Sequence, residues 1–484
     1  HVPKEWFEVL LHLPLNFHLF TCGTLEIAPK AADDIYTLWE RKYYQSKRNS
    51  PLVLVAFDDT DSRKGMCTTY LVPLIWERLA NYTFTNLPKL VRLNPNIPWK
   101  TRGNGAICLE VGSRQGSGIP FGRWNGKVMH YYPQGTTVDD VEGLFSIVRE
   151  TVMGHSHSKE DGTNPAVAIF NQKPYPEWYH DTVKGVMDLD EAKTYAHRAS
   201  VRYDFQKNGR GLIGAIAAAS WPEEVFTFEV IAYRERERWG KKRDVPMKEI
   251  MQLDGKFDST FNNFDQHSRH APVIPNTPCP VLWGVRGRDP RQLTEVPGFL
   301  KGEAPQGWVL FKTNQGTGDH IIKGVISDMK PYHTYSIEGV VKGMPEEHTG
   351  GLVSVPFEDK TGEIRLLFYE PTKKFRQYAR MLRPKDHIIA EGTYREDPEG
   401  INMESFTVLN LAQYLLSAVN PLCENCNKRM ESMGKKQGLR CPQCKSRQNC
   451  EKIPNYEKRT LKLARYEVPV GARRHLHRPN WQDK

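Results

Sequence analysis

The sequence lacks any long hydrophobic segment. No apolar run in its 484 residues approaches the roughly 20 residues needed to span a bilayer. The first residues also lack the ordered charged start, apolar core and small-residue cleavage site of a secretory signal. We therefore predict a cytoplasmic protein with no membrane partner. Hydrophobic residues make up 39% and charged residues 26%, so the chain can still bury several cores.

The cysteines are too few and too scattered for a disulfide framework. Of the nine, four form two Cys-x-x-Cys pairs, Cys423 with Cys426 and Cys441 with Cys444. Each pair can present two thiolates to one ion, and four thiolates complete the tetrahedral coordination of Zn²⁺. No position is left for a substrate. The alternative is four unrelated thiols, but the spacing predicts a structural zinc site in a reducing compartment.

Most of the chain also lacks an excess of charge. Residues 421–484 hold 16 Lys and Arg against 6 Asp and Glu, which accounts for the whole formal charge of +10. Two interpretations are open for this basic tail. It is either a solvated segment or a surface that binds nucleic-acid phosphates, and the interspersed Tyr466, His475 and Trp481 favour binding.

The rest of the sequence alternates strand-like and helical patterns. Residues 1–50 contain a possible helix at 31–44 and carry no motif that we can interpret. After residue 51, continuous apolar runs predict strands buried on both faces, separated by helical segments and Gly-rich loops, so we expect α/β or α+β domains. The predicted elements are strands 52–57, 106–111, 166–170 and 226–232, and helices from 66 to 79 and 138–152.

A different pattern occupies residues 332–412. Five short strand candidates with a helix between the third and fourth give the element order of an OB-fold, a barrel that commonly binds oligonucleotides. Phe357, Phe368 and Tyr369 are either stacking platforms for bases or barrel core, and for any single aromatic we favour the core. The candidates are strands 336–342, 351–357, 363–369, 387–394 and 403–409, with the helix at 372–382.

Three carboxylates lie close together at the end of the first apolar strand. Asp58, Asp59 and Asp61 fall within four residues, and such a cluster repels itself unless cations neutralise it. Their hard oxygen atoms suit Mg²⁺, which usually also holds substrate phosphates. Active sites of open α/β sheets lie at the carboxyl ends of strands, where we place this cluster. The alternative is a solvated acidic turn.

A hydroxyl-rich segment follows the carboxylates. Thr68 and Thr69 stand at the predicted start of a helix, where backbone N–H groups favour anions. A Thr hydroxyl there can exchange a phosphoryl group with an Asp as base. The alternative for Thr68 is a helix N-cap.

Two further loops are candidates for ligand contacts. Lys100 and Arg102, beside Gly103-Asn104-Gly105, can neutralise triphosphate charge, although they can also form an ordinary basic loop. Three prolines between 275 and 280 predict a rigid loop that holds Asn276 and Thr277 as in a small-ligand pocket, or a purely structural loop before a strand. The chain has no Walker A loop. The glycine spacing from Gly209 to Gly214 matches a dinucleotide fingerprint without a clear preceding strand, so we assign it no role.

Taken together, these strings resemble the archaeal 2-agmatinylcytidine synthetases that modify the minor isoleucine tRNA. The resemblance covers about residues 51–478. Its carriers are Asp58-Asp59-Thr60-Asp61-Ser62, Gly65 to Leu71, Arg92-Leu93-Asn94-Pro95, Lys100 to Gly105, Thr163-Asn164-Pro165, Gly209 to Ala215, Ile231 to Arg234, the 274–287 loop, Glu370 to Lys373, the cysteine pairs, Tyr466 to Pro469 and Ala472 to Leu476.

The resemblance implies a multidomain α+β protein. Its parts are an N-terminal extension of unknown role (1–50), an ATP-dependent, kinase-like α/β catalytic domain (51–190), a ferredoxin-like domain (191–330), an OB-fold barrel (331–415), a zinc ribbon (416–450) and a basic tail (451–484). Two segments depart from the family pattern: residues 1–50 have no counterpart, and Gly112–Lys127 looks like an added loop.

The resemblance also implies a reaction. ATP activates the 2-carbonyl of the wobble cytidine, and agmatine displaces the activated oxygen with release of AMP and pyrophosphate, so that the anticodon reads AUA. Thr68 takes the role of the phosphorylated threonine. Asp58, Asp59 and Asp61 are expected as catalytic groups, with Asp58 and Asp59 on Mg²⁺.

The remaining implied contacts are with ATP, agmatine and tRNA. Lys100, Arg102, Gly103, Asn104 and Gly105 are expected at the ATP phosphates, and Asp265, Asn276 and Thr277 are candidates for agmatine. The expected RNA contacts are the anticodon stem-loop and acceptor region. Two other functions stay open: a non-catalytic OB-fold and zinc-ribbon protein that only binds nucleic acid, and an RNA enzyme that uses another amine.

Overall fold

The computed structural model describes residues 53–101, 103–266, 268–434 and 437–480. The N-terminal extension with its predicted helix, and also Arg102 and Trp481, lie outside the described residues. Among the described residues, no helix combines the length and apolar character needed to cross a bilayer.

One large mixed sheet forms the first half of the molecule. Its strand order is β10-β11-β9-β12-β3-β4-β1-β7-β8, with β2 on β4 and the pair β5–β6 on β12. The strands are β1 (Val53–Asp58), β2 (Tyr82–Phe84), β3 (Lys89–Arg92), β4 (Gly105–Ser113), β5 (Ile119–Trp124), β6 (Lys127–Tyr131), β7 (Ala166–Phe170), β8 (Arg202–Phe205), β9 (Thr227–Tyr233), β10 (Thr260–Phe261), β11 (Val281–Gly287) and β12 (Gly307–Thr313).

Helices cover this sheet. They are α1 (Leu71–Arg78), α2 (Val141–His155), α3 (Pro176–Lys184), α4 (Leu189–Arg198), α5 (Gly211–Ser220), α6 (Met247–Lys256) and α7 (Pro290–Phe299). Short 3-10 turns occur at Thr68–Tyr70, Arg236–Arg238, Ile326–Asp328, Thr349–Gly351, Glu370–Thr372 and Val470–Ala472. Helix α5 is apolar almost all round and buried along nearly its whole length, because it packs between the sheet and other helices.

Strand β1 is buried on both faces, as its apolar run predicts. It pairs with β4 and β7, and both pairings are antiparallel. The aspartates lie at the carboxyl end of β1, as we expect from the sequence, but the neighbouring strands run in the opposite direction. The amino ends of both neighbouring strands flank Asp58, and the first turn of α5 approaches it instead.

The segment 112–127 is not simply the loop that we expect from the sequence. It contains β5, which pairs with β6 on one side and with β12 on the other. Phe121 and Trp124 of β5 are fully buried. The hydrophobic effect therefore fixes this segment into the sheet.

Within the large sheet, strands β3 and β12 are parallel neighbours, and buried charged side chains lie where they meet. Lys89 of β3 is 2.5 Å from Glu110 and 2.6 Å from Glu223, and Lys312 of β12 is 3.2 Å from Glu223. The side chains of these four residues are less than a tenth exposed. Removing one partner would leave a buried charge uncompensated, so the seam depends on the whole cluster.

The chain after the large sheet forms a closed barrel, as the OB-fold pattern predicts. Its strands run in the order β14-β18-β19-β17-β16, and β14 pairs with β16 to close it. Phe357 and Phe368 are fully buried, so the core interpretation is right for both, and Tyr369 is half-buried. The elements are β13 (Ile321–Lys323), β14 (Thr334–Val341), β15 (Glu346–Glu347), β16 (Val353–Glu358), β17 (Glu363–Phe368), α8 (Lys374–Arg380), β18 (His387–Glu396) and β19 (Glu399–Asn410).

A ribbon and a returning segment complete the chain. The two strands β20 (Leu415–Val419) and β24 (Ile453–Tyr456) pair and flank a small sheet of β21 (Glu431–Ser432), β22 (Leu439–Arg440) and β23 (Arg447–Gln448). Beyond them, β25 (Arg465–Glu467) pairs with β19 of the barrel. We call residues 465–478 the C-terminal strap, because they run from the barrel back to the large sheet.

Candidate active site

A cavity of about 300 Å³ lies among strands β1, β3, β9 and β11 and the loops beside them. The structure brings most of the predicted site residues into its wall. These are Asp58, Asp59, Asp61, Thr68, Lys100, Gly103, Asn104, Gly105 and Thr277. Arg102 lies outside the described residues, and the described lining residues do not include Asp265 or Asn276.

The aspartates are held by hydrogen bonds from loops far apart in sequence. Asp59 has a φ of 56°, so the alternation of strand β1 stops at Asp58. The backbone N–H of Asp59 donates to Oδ1 of Asp58 at 2.7 Å. Asn164 donates its backbone N–H to Oδ2 of Asp59 at 3.0 Å, and Thr101 donates its hydroxyl to Oδ1 of Asp61 at 2.7 Å.

Burial changes the acidity of the first two aspartates. It raises the pKa of Asp58 well above the usual carboxyl value, and the neighbouring Asp59 charge raises it further, against the opposing charge of Arg92. Burial likewise raises the pKa of Asp59 to about 6, although hydrogen bonds from Asn164 oppose the rise. Both carboxyls therefore ionise less readily than exposed aspartates, and a cation bound beside them would favour their charged forms.

The three carboxylates do not converge on one point. In the part of the chain that the structure describes, the four ribbon cysteines are the only group of three or more Cys, His, Asp or Glu whose ligand atoms all lie within 4.8 Å of one another. The oxygen donors of Asp58 and Asp59 nevertheless fit a hard divalent cation, because burial and neighbouring carboxylates raise both pKa values despite the nearby charges of Arg92 and Arg210.

The glycines at 211 and 214 have a packing role that the sequence did not reveal. A Cβ on Gly214 would overlap Oδ2 of Asp58, and a Cβ on Gly211 would lie 2.6 Å from the backbone oxygen of Asp58. Strand β8 does precede this segment. The glycine spacing therefore permits the first turn of α5 to reach the carboxylates. The residue before that turn, Arg210, places its guanidinium over Trp99, 4.6 Å from the ring centre.

Thr68 lies beside the aspartates in a 3-10 turn that leads into α1. It is buried, and its Oγ1 accepts a hydrogen bond from the hydroxyl of Thr60 at 3.0 Å. The α-helix itself begins at Leu71, and no side chain caps either the turn or the helix. The N-cap interpretation of Thr68 is therefore wrong, and the residue lines the cavity.

The loop between β3 and β4 supplies positive charge. Burial lowers the pKa of Lys100 to about 8, and the charges of Arg474 and Arg395 lower it further. Its ammonium donates to the backbone oxygen of Pro95. Asn104 donates its side-chain N–H to the backbone oxygen of Asn94 at 2.8 Å, which fixes the loop against the end of β3.

The proline-rich loop is held by an arginine that the sequence did not single out. Arg243 donates to the backbone oxygens of Pro275 and Thr277, each at 2.8 Å. Thr277 lies in the cavity wall. Asp265 instead accepts backbone N–H groups from Ser268 at 3.3 Å and from Gly471 of the strap at 3.1 Å. The position of Asp265 does not favour a direct ligand contact.

Among the lining residues that were not predicted as site residues, four form a polar group. Arg92 and Arg286 lie 3.5 Å and 3.3 Å from the carboxylate of Glu229, and His475 comes from the strap. Arg92, Arg286 and His475 stand within motifs that carry the family resemblance, and this was the signal in the sequence that could have identified them. Glu229 lies inside an apolar strand pattern, where nothing local marks it as part of a site.

The second predicted site is the cysteine cluster of the ribbon. Cys423, Cys426, Cys441 and Cys444 bring their sulfur atoms within 4.8 Å of one another. Cys423 and Cys444 are 3.4 Å apart, and Cys426 and Cys441 are 3.3 Å apart, measured between the sulfurs. This arrangement is a zinc-ribbon site with a closed set of four ligands.

Family models match most of the described chain. Residues 54–207 match the TiaS TCKD domain, residues 209–320 the TiaS FLD domain, residues 335–409 an OB-fold nucleic acid binding domain and residues 420–461 the TiaS C-terminal zinc ribbon domain.

Whole proteins match as well. The isoleucine-tRNA 2-agmatinylcytidine synthetase TiaS of Methanocaldococcus jannaschii is 34% identical to this chain over 438 residues, and the match covers 88% of this chain and 98% of the relative. The TiaS of Archaeoglobus fulgidus is 35% identical over 437 residues, and that match covers 88% of this chain and 96% of the relative. The crystal structure of TiaS in complex with its isoleucine tRNA and ATP is 34% identical with a TM-score of 0.76. The complex of TiaS with the same tRNA, AMPCPP and agmatine is 32% identical with a TM-score of 0.72, and each structure covers 88% of this chain and 96% of the solved one. The chain therefore belongs to the TiaS family of isoleucine-tRNA 2-agmatinylcytidine synthetases.

Proposed function

We propose that this protein joins agmatine to the 2-position of the wobble cytidine of the minor isoleucine tRNA, consuming ATP and releasing AMP and pyrophosphate. The modified anticodon then reads AUA. The observation that carries the proposal is the cavity in which the aspartates, a buried threonine and several cations meet. Family membership supports the choice of substrates.

The 2-oxygen of cytosine is a poor leaving group until it is phosphorylated, so nucleotide chemistry must come first. Asp58 and Asp59 are the proposed ligands of Mg²⁺, which when bound would neutralise phosphate charge. Lys100 and the Gly103-Asn104-Gly105 loop are proposed to bind the triphosphate, with Arg102 beside them. The lowered pKa of Lys100 suits this role, because burial and the nearby Arg474 and Arg395 disfavour its charged form and an arriving anion would favour it again.

Thr68 is the proposed phosphoryl acceptor. Its hydroxyl already accepts a hydrogen bond from Thr60, so its own proton is directed elsewhere. An aspartate whose pKa is raised by burial is a better proton acceptor than an exposed one, and Asp58 and Asp59 both meet this condition.

The agmatine contacts are proposed near the proline-rich loop. Thr277 is the best supported, because it lines the cavity and Arg243 holds its backbone. Asn276 stays a prediction. Asp265 is the weakest candidate, since its carboxylate is occupied by backbone donors of the strap and a local turn.

The main alternative is a protein that only binds RNA. This alternative does not explain why three carboxylates lie in the cavity wall, since acids repel RNA phosphates.

The test is turnover of ATP by the full chain with the minor isoleucine tRNA, agmatine and Mg²⁺. We expect AMP release and a defined mass added to the anticodon cytidine. A complete lack of AMP under every tRNA condition would favour the binder, and a different added mass would identify another amine. A cytoplasmic location stays a prediction.

A further inference from the structure

The C-terminal strap carries an imidazole into the active-site cavity. The backbone N–H groups of Gly316 and Gly318 donate to the backbone oxygens of His475 and Leu476, each at 2.9 Å. Leu476 is buried in the same apolar cluster as helix α5. The strap is therefore fixed at His475 and at the next residue, although it lies beyond the zinc ribbon in sequence.

A hydrogen-bonded relay decides which ring nitrogen of His475 carries the proton. Gln315 donates its Nε2 to Oε2 of Glu229 at 2.5 Å. The opposite orientation of this amide would set two acceptors against each other, so Oε1 of Gln315 must face away from Glu229. That Oε1 is 2.7 Å from Nδ1 of His475. Nδ1 must therefore be the donor, and Nε2 keeps its lone pair when the ring is neutral.

The surroundings keep the ring neutral. Burial lowers the pKa of His475 well below the usual value, and the charges of Arg92, Arg286 and Lys100 lower it further. Nε2 lies on the side of Gly103, where an added Cβ would be 2.9 Å from it. Among residues 53–101, 103–266, 268–434 and 437–480, none donates a hydrogen bond to Nε2. The cavity thus contains an imidazole with a fixed tautomer and an acceptor nitrogen.

We propose that Nε2 of His475 is the general base that accepts a proton from the primary amine as it attacks the activated cytidine. This rests on the proposed function. In the step, the neutral amine nitrogen forms a bond to C2, and the bond between C2 and the activated oxygen breaks. The activating group, which ATP supplied, leaves with that oxygen and the bonding electrons. One proton moves from the nitrogen to Nε2 and then to solvent.

A histidine with a low pKa is a suitable base in this cavity. The cations around it also destabilise an ammonium, so the pKa of the bound amine falls together with that of the imidazole. The pKa of the nitrogen falls again as it bonds to C2. Proton transfer is efficient when donor and acceptor are matched. Glu229 and Gln315 keep the proton of His475 on Nδ1, so that Nε2 is free to act as the base. Both are therefore positioning residues.

The test separates loss of the base from loss of the strap contact. In His475→Asn, the side-chain amide can still donate to Gln315, but nothing replaces the lone pair of Nε2. Steady-state formation of agmatinylcytidine by the full chain, with saturating minor isoleucine tRNA, ATP and Mg²⁺, is followed at varied agmatine. We expect kcat to fall about 10²–10⁴-fold, the usual contribution of general base catalysis, while KM for agmatine changes little.

Rescue by a small base supplies a readout that a structural role would not give. In His475→Ala, added imidazole should restore the rate at least about tenfold in a saturable manner, while His475→Asn has less space and should respond weakly. A rate for His475→Asn within about threefold of wild type, or no response of His475→Ala to imidazole, would overturn the proposal. A wild-type protein that forms no agmatinylcytidine would instead overturn the proposed function itself.

Discussion

Gly214 lies so close to Asp58 that a side chain on the glycine would overlap the carboxylate. This contact links the first turn of α5 to the end of β1. It explains why a glycine is needed within a helix that is otherwise apolar, since Gly in a helix costs about 0.5–1 kcal/mol relative to Ala.

Gly214→Ala should therefore abolish most activity, because the added methyl group displaces the carboxylate of Asp58. We expect at least about a hundredfold loss of kcat and a destabilisation of about 1–3 kcal/mol from overpacking. Gly154→Ala is the matched control, since a Cβ on that helical glycine has no neighbour within 4 Å. Steady-state kinetics and thermal melts measure both effects, and an active Gly214→Ala would show that Asp58 has no fixed role.

Thr68→Ala should abolish turnover and leave tRNA affinity nearly unchanged, because the hydroxyl is proposed to exchange a phosphoryl group and the residue lines the cavity rather than the barrel. Thr68→Ser keeps the hydroxyl and should keep part of the activity. Thr60→Ala, which removes only the donor to Thr68, is the control for packing. Product formation and filter binding are the measurements. An active Thr68→Ala would remove the phosphoryl-acceptor role.

Asp58→Asn should reduce the rate about 10²-fold or more and raise the Mg²⁺ concentration needed for half-maximal activity. The amide keeps the shape but loses the negative charge that a divalent cation requires. Asp190→Asn, on a helix surface where the carboxylate is 90% exposed, is the control. A Mg²⁺ titration of ATP turnover is the measurement, and an unchanged titration midpoint would contradict the metal assignment.

Cys441→Ser should unfold the ribbon and weaken tRNA binding, mainly at higher salt, because the four thiolates hold the ion that replaces a hydrophobic core. Cys450→Ser is the matched control, since Cys450 is exposed and outside the four-cysteine cluster. Zinc content by mass spectrometry and binding at several salt concentrations test this. Full zinc content in Cys441→Ser would contradict the assignment.

The stability that His477 gives to the C-terminal strap should depend on pH. Burial alone would lower the pKa of His477, but the carboxylates of Glu404, 3.6 Å away, and of Glu467, 2.9 Å away, outweigh that effect and raise it. A raised folded-state pKa contributes stability below about pH 6.5, the unfolded value, and that contribution is lost as the pH rises through the folded value. Burial would raise the pKa of Glu404, yet the hydrogen bond with His320 and the nearby His477 hold it well below normal, so its contribution is lost in acid.

We therefore expect the melting temperature of wild type to exceed that of His477→Gln most clearly near about pH 6 and less at about pH 8.5. The comparison of melts across this range is the measurement, and His155→Gln, on an exposed imidazole, is the control. A difference that grows with pH would have the wrong sign for a histidine held between two carboxylates.

Much of the fold was determined by local pattern. The apolar runs predicted β1, β4, β7 and β9 within a few residues, and the barrel strands were placed in the right order, because period and turn residues act over short distances. The cysteine spacing and the aspartate cluster were also readable, since those groups are neighbours in sequence. The Gly-rich string before α5 was misjudged, because its partner, Asp58, is far away along the chain.

What the sequence determined by itself was the set of chemical groups: hard oxygen donors, a hydroxyl, cations, four thiols and a basic end. Only the tertiary structure decided which basic side chains of the C-terminal segment pair with acidic residues of the protein itself. Arg465, Arg473 and Arg474 of the strap face Glu391, Glu467 and Glu404, so part of the basic charge is paired internally rather than left for RNA. The tautomer of His475 depends on Gln315, 160 residues away, and the orientation of Gln315 depends on Glu229, a further 86 residues away. A hydrogen bond requires close approach and a fixed direction, and no local pattern encodes either across such separations.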